Sequence, residues 1–347
     1  MRVESARREL MNVRRGHGAD KKHITGAVAL VLALVLAVIG FVVFSKLESE
    51  AYPEQRGQMS ENFGKLPTTE YQGKTYQMKP NLTSMLFIGY DKLDDTPEVG
   101  FRRGGQADFL LLAVLDHKAK TVHQLHIERD TMANMTVLGI TGNKVGTRKM
   151  QICLSHAYGA SEEENCQYTV DAVSSLLQGI PVDLYMAMDI RGITAFNDAV
   201  GGVTVPIEDD FSAYDPTMVQ GTTMKLQGMQ AEYYVRSRYE VGNGSNEQRM
   251  RRQKTYMNAV TELVRQRIGE DSSFANTMLD AIEDVSNTNM TRGRLINEIN
   301  RAYTYDIRPA KNLAGEYKKG DDGFMEFHAD DDSIISWVIN VFYNPVE

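Results

Sequence analysis

The residues with chemical potential in this 347-residue chain are arginines and aspartates placed at the ends of short apolar runs. Asp91 follows the run Met85–Gly89, and Asp108 precedes the run Phe109–Leu115. Arg129-Asp130-Thr131 follows Thr121–Ile127. Arg236 and Arg238 sit two apart in Tyr-Val-Arg-Ser-Arg, and Arg249, Arg252 and Gln253 lie shortly after them, with Arg249 and Gln253 on one face of a helix. There is no Gly-rich P-loop, no His-Glu-x-x-His and no Gly-x-Ser-x-Gly. If these charges share a site, its chemistry is electrostatic rather than that of an activated nucleophile. Each residue also has a plainer reading, since a strand-end Asp is usually a turn former and Arg is mostly a surface residue.

The elements that must carry these residues alternate. Short apolar runs predict strands at Met85–Gly89, Phe109–Leu115, Thr121–Ile127, Leu184–Asp189, Val203–Ile207 and Phe324–His328. Lys118-Ala119-Lys120 joins the second and third of these as a hairpin. Apolar residues at helical spacing predict helices over Tyr168–Gln178, Ile190–Val200, Gln227–Arg236, Asn246–Ile268, Ser273–Ile282 and Thr291–Tyr303. A last helix presents Ile334, Val338 and Val341 on one face, with Asp330-Asp331-Asp332 at its N-terminus. The expected fold class is α/β, a single domain with a mixed central sheet covered by helices.

Charge and hydropathy set the surroundings. The formal net charge is −8. Residues 1–23 carry seven Lys/Arg against three acids, leaving +4 on the tail and −12 on the remainder. An acidic body excludes wholesale nucleic-acid binding, which depends on neutralising phosphates. From Ile24 to Ser45 no residue is charged. A run of that length crosses a hydrocarbon core of about 30 Å as one helix. The basic tail places the N-terminus in the cytoplasm and residues 46–347 outside the cell membrane. The run is longer than the apolar part of a signal peptide, and Lys46-Leu47-Glu48 is no small-x-small cleavage site. The expected organisation is a tail at 1–23, a transmembrane helix at 24–45, a stalk at 46–80, the main domain at 81–310 and a C-terminal appendage at 311–347. Outside the membrane a disulfide is permitted, and Cys153 with Cys166 is the expected pair.

Ordered strings through residues 84–267 resemble the LytR-CpsA-Psr family of cell-wall ligases. They are Gly89-Tyr90-Asp91, Gln106-Ala107-Asp108, Ile127 through Thr131, His156-Ala157-Tyr158-Gly159, Val182-Asp183-Leu184-Tyr185, Asp198 through Val203, Leu226 through Ala231, Tyr234 through Arg238, and Arg249 through Gln253. No single string is specific, but nine in unbroken order are.

The resemblance implies a phosphotransferase. Its donor would be a glycan on polyprenyl pyrophosphate, and its acceptor a peptidoglycan hydroxyl. The glycan would be teichoic acid, capsule or another secondary wall polymer. Asp91 and Asp108 would hold Mg²⁺ or Mn²⁺, which binds through one or two carboxylates and phosphate oxygens. Arg129, Arg236, Arg238 and Gln253 would grip the pyrophosphate, since guanidinium forks match phosphate oxygens in pairs. Arg249 would orient it, and Asp130 would orient Arg129 or take the acceptor's proton. An apolar tunnel under the sheet would hold the lipid.

The chain departs from the family pattern at Gln106 (Arg in the family), Glu128 (Pro) and Asn246 (Asp), with Arg102 or Arg103 as a substitute for the first. The Gln106 and Glu128 departures support a second reading, a pyrophosphate-binding scaffold without catalysis, and a third is a pyrophosphatase in which water replaces the sugar acceptor. A fourth reading is a membrane-anchored attenuator of transcription. Against it, residues 1–23 are too short for a folded DNA-binding module.

Overall fold

The structure, a computed structural model, describes residues 66–346 apart from 92–104, 140, 238–239, 245, 272–273, 304 and 322. The basic tail, the transmembrane run 24–45, Arg102, Arg103 and Arg238 therefore lie outside the described residues. Among the described residues no helix is long and apolar enough to cross a membrane.

The strands are β1 (Thr68–Tyr71), β2 (Lys74–Met78), β3 (Leu82–Tyr90), β4 (Ala107–Asp116), β5 (Thr121–Ile127), β6 (Met132–Leu138), β7 (Lys144–Gln151), β8 (Leu184–Asp189), β9 (Thr204–Pro206), β10 (Thr223–Lys225), β11 (Ser286–Thr288), β12 (Asp306–Ile307), β13 (Lys311–Asn312), β14 (Gly315–Lys319), β15 (Met325–Ala329) and β16 (Tyr343–Pro345). The helices are α1 (Glu162–Leu176), α2 (Arg191–Ala199), α3 (Met229–Arg236), α4 (Asn246–Glu270), α5 (Phe274–Ile282), α6 (Arg292–Tyr303) and α7 (Asp331–Phe342). The central sheet runs β11-β8-β3-β4-β5-β12, with β13 also on β5. It is mixed: β3 is antiparallel to β4 and parallel to β8, while β12 and β13 run parallel to β5.

Period-two alternation sends side chains to two cores. Phe87, Phe109, Leu111 and Met186 face one side and pack against α2 to α6. Leu86, Ile88, Leu110, Leu112 and Ala187 face the other and pack against α1 and α7. Both faces of β4 are buried, which is why it reads as a continuous apolar run. Each large aliphatic or aromatic side chain so buried contributes about 1.5–3 kcal/mol.

Local chemistry fixes the helix ends that matter for the site. Ser161 accepts a hydrogen bond from the Glu164 amide at 3.3 Å, and Glu164 reaches back to the Ala160 amide at 2.8 Å. This near-complete capping box starts α1 at Glu162, six residues before the expected Tyr168. At the other end Gln178 turns left-handed (φ 60°), and the Gly179 amide bonds Ser174 O at 2.8 Å.

Two segments differ from expectation. Residues 68–78 are not stalk: β1 and β2 form a hairpin whose second strand pairs with β16. Residues 311–347 are not an appendage. β13 joins the central sheet, and Phe327, Ile334, Val338 and Phe342 complete one core. β1 and β2 are polar and β13 is only two residues long, so no apolar pattern marks them, and long-range pairing organises them.

Candidate functional site

Asp91, Asp108 and Arg129 meet at one end of the sheet because β3 ends, β4 begins and β5 ends there. The register shifts at this point. Gly89 pairs with Phe109 and Tyr90 with Ala107, so Asp108 is the extra residue of a β-bulge. Bulges re-aim a side chain beside functional sites, and this one turns Asp108 toward Arg129.

Arg129 is the hub. Its Nη1 donates to Asp108 Oδ1, and its Nη2 donates to Gln106 Oε1 at 2.6 Å and toward Cys153 Sγ at 3.6 Å. Its Nε lies 3.4 Å from Asp130 Oδ1. The Cys153 amide bonds the Arg129 carbonyl at 3.1 Å, so the 152–157 turn holds the backbone as well. Asp91 Oδ1 accepts the Gln106 amide at 3.1 Å. Gln106, a departure from the family string, therefore joins Asp91 to Arg129 through its backbone and its side chain.

Burial pushes Asp108 up to about 7. The negative charge of Asp91 adds to the push, while Arg129 and Arg236 pull back. Burial also raises Asp91, more than the Gln106 amide, Arg129 and Arg236 lower it. Burial opposes the charge on Arg129, yet Asp108, Cys153 and Asp130 outweigh it and hold its pKa above the usual value. Two desolvated carboxylates that resist each other's ionisation suit a hard divalent cation in donor type and charge.

Arg236 ends α3 and is close enough to act on both aspartates. It pairs with Glu232 one turn earlier, and its buried Nε has no partner among the described residues. A cavity of about 210 Å³ opens there, lined by Tyr214, Glu232, Tyr233, Arg236 and Ser237. Arg252 of α4 holds this segment in place. It is 1% exposed and donates to Tyr234 O at 3.0 Å, to Ser237 O and to Asp209 Oδ2 at 2.5 Å. Arg249, one turn before Arg252, is 4% exposed.

Several of the sequence strings are scaffolding. Asp183 accepts from the Ser84 amide and hydroxyl at 2.8 and 2.9 Å, tying the start of β8 to β3. Asp198 accepts from the Gly228 amide at 2.8 Å, at the start of α3. Buried Asn197 bridges Leu226 O, the Val203 amide and the Tyr256 hydroxyl. Gly202 has φ 88°, and a Cβ there would meet Leu226 O at 2.7 Å.

Thus the structure brings Asp91, Asp108, Arg129, Asp130 and Arg236 together. Arg103 and Arg238 lie outside the described residues, as does the side chain of Gln253. The expected disulfide is corrected: both cysteines are free and buried. Cys153 faces Arg129, whereas Cys166 sits on α1 beside His156. Burial pushes the Cys153 thiol up to about 12, although Arg129 pulls the other way. Sequence reasoning missed three partners, Gln106, Cys153 and Glu232. Only Glu232 carried a signal, its i,i+4 spacing to Arg236.

The chain is similar to the polyisoprenyl-teichoic acid–peptidoglycan teichoic acid transferase TagV of Bacillus subtilis, with 27% identity over 82% of this chain and 68% of the relative. It is also similar to the transferase TagU of Halalkalibacterium halodurans, which bears the same activity in its name, with 25% identity over 76% of this chain and 79% of the relative. Its fold is that of protein gbs0355 from Streptococcus agalactiae, with a TM-score of 0.57 and 22% identity over 75% of this chain and 86% of that one. The LytR_cpsA_psr family profile matches residues 43–322, beyond both ends of the strings noted above, and the chain belongs to that family.

Proposed function

We propose that this chain is a phosphotransferase that moves a glycopolymer from a polyprenyl-pyrophosphate carrier to a peptidoglycan hydroxyl. The observation that supports it most is the gathering of Arg129 and Arg236 beside two desolvated carboxylates, Asp91 and Asp108. The relatives' names make a teichoic acid the first polymer to test.

In this reading Arg129 and Arg236 take opposite sides of the diphosphate, with Arg238, Arg249 and Gln253 extending the grip. Asp91 and Asp108 would hold Mg²⁺ or Mn²⁺, which would neutralise phosphate charge. The acceptor hydroxyl oxygen bonds to the glycan-side phosphorus as the bridging P–O bond breaks, its proton is released to solvent, and polyprenyl phosphate leaves with the bridging oxygen. Charge developing on that leaving group is stabilised by donors already in place, which need no reorganisation. Asp130, through its contact with Arg129 Nε, orients the fork. The lipid lies on the α2–α6 side, where methionines such as Met186, Met218 and Met278 line an adaptable apolar layer. Residues 24–45 anchor the chain in the cell membrane with the N-terminus in the cytoplasm, and the site works outside.

The test is incubation of the purified full chain with a short-chain polyprenyl-pyrophosphate glycan, Mg²⁺ and peptidoglycan fragments. A glycan–peptidoglycan product, lost in Arg129→Ala and Asp91→Ala, is expected. Free polyprenyl phosphate with released phosphoglycan would make the protein a pyrophosphatase, and binding alone would make it a scaffold.

A further inference from the structure

We propose that His156, Glu162 and Cys166 form a second metal site, for a borderline-soft ion of the Zn²⁺ class. Their donor atoms all lie within 4.8 Å of one another. Glu162 and Cys166 are four residues apart in the first turns of α1 and so share a face. His156 comes from the 152–157 turn packed beside that helix end.

The tautomer follows from a backbone contact. His156 Nδ1 is 3.1 Å from Gly105 O. A carbonyl only accepts, so Nδ1 carries the hydrogen and Nε2 faces the other two groups. Nε2 lies 3.1 Å from Glu162 Oε1 and 3.7 Å from Cys166 Sγ. In a tetrahedral site with Zn–N of about 2.0–2.1 Å and Zn–S of about 2.3 Å, adjacent nitrogen and sulfur ligands sit ~3.6 Å apart, and nitrogen and oxygen ~3.3 Å. The two His156 edges lie close to these values, and the Glu162–Cys166 edge is within 4.8 Å. A ligating histidine that donates its other N–H to a carbonyl is the usual second layer of such a site.

The surroundings fit as well. His156 and Cys166 are fully buried, and the Glu162 carboxylate oxygens that face them are buried as well. The Tyr90 ring lies 4.3 Å from the His156 ring. Imidazole with thiolate selects Zn²⁺ over Mg²⁺, and three protein ligands leave a fourth position for water. Binding would convert the Cys166 thiol to a metal-bound thiolate and release its proton to solvent. The ion would tie α1 to Gly105, next to the Gln106 that holds Arg129, and so steady the diphosphate site from behind.

The test is titration of the purified full chain with Co²⁺, which reports thiolate ligation by a near-ultraviolet charge-transfer band. One equivalent should bind with that band. Cys166→Ala should abolish the band and weaken binding at least about tenfold, and Glu162→Gln should weaken binding with the band retained. Cys153→Ala and Asp91→Ala should leave the band unchanged. A folded chain that takes up no Co²⁺ would show that the cluster is an ion pair beside a core thiol, and a band that survives Cys166→Ala would place the metal elsewhere. Either result overturns the proposal, and neither touches the transferase reading, which the transfer assay decides.

Discussion

Replacing Arg129 by Ala removes the guanidinium that donates to Asp108 and gives a pH-dependent stability loss of calculable sign. Asp108 is 4% exposed, and burial already pushes it up to about 7 with Arg129 in place. Without the guanidinium its carboxyl moves further up. A carboxyl whose folded pKa exceeds the ordinary 3.8 gives stability that is complete below that value and is lost as pH rises through the folded value. In the wild type this loss ends soon above 7. In the variant it continues to higher pH. The penalty of the substitution therefore grows above neutrality by up to ~1.4 kcal/mol per pH unit. It climbs toward the ~3–5 kcal/mol expected of a buried charge without its partner. At about pH 5 Asp108 is protonated in both proteins, and only the lost hydrogen bonds remain, at about 1–3 kcal/mol. Urea unfolding of both proteins at about pH 5 and about pH 8.5 checks this. A penalty that is equal at the two values, or smaller at the higher one, would refute the reasoning. In the transfer assay the same substitution should lower kcat/KM by about 10²–10³, the loss typical of one preorganised donor.

Three further outcomes follow from the geometry. Arg252→Met should destabilise the fold by ~3–5 kcal/mol in denaturant unfolding, because Asp209 is left buried without its cation and two backbone carbonyls lose a donor. Phe342→Ala should cost about 3–5 kcal/mol in the same measurement, since this C-terminal side chain is 2% exposed in the core under the sheet. For Asp116, burial pushes upward, but the Ala119 and Lys118 amides and the Lys79 ammonium outweigh it and hold its pKa below the ordinary value. A depressed carboxylate contributes stability above its unfolded pKa and loses it as pH falls through the folded one. Asp116→Asn should therefore be less stable than the wild type at neutral pH, with the difference closing below about pH 4 in acid-unfolding curves.

The sheet was legible where side chains alternate between two apolar layers or are buried on both faces. Thr121–Ile127 and Leu184–Asp189 have the bounds that their patterns predict. β7 was not legible, because Lys-Val-Gly-Thr-Arg-Lys-Met-Gln is exposed along most of its length and carries no apolar alternation. The start of α1 was hidden from periodicity, since its first turn is Glu162-Glu163-Glu164, and the signal there is the cap at Ser161.

At the site, the strings located Asp91, Asp108 and Arg129 because strand ends carry them to one place. They did not separate binding groups from braces. Arg252 looks in sequence like its neighbours, yet its guanidinium is spent on Asp209, Ser237 and Tyr234. Gln106 read as a lost arginine, but its amide oxygen accepts from Arg129, a contact that an arginine, which has no acceptor, cannot make. The cysteines read as a pair because spacing alone says nothing of side-chain direction.

The most direct measurement of the central claim is a structure of the full chain with a polyprenyl diphosphate and Mg²⁺ bound. The account predicts phosphate oxygens on Arg129 and Arg236, with the ion between them and the carboxylates of Asp91 and Asp108. A diphosphate seated elsewhere, with Arg129 still holding only Asp108 and Gln106, would contradict it.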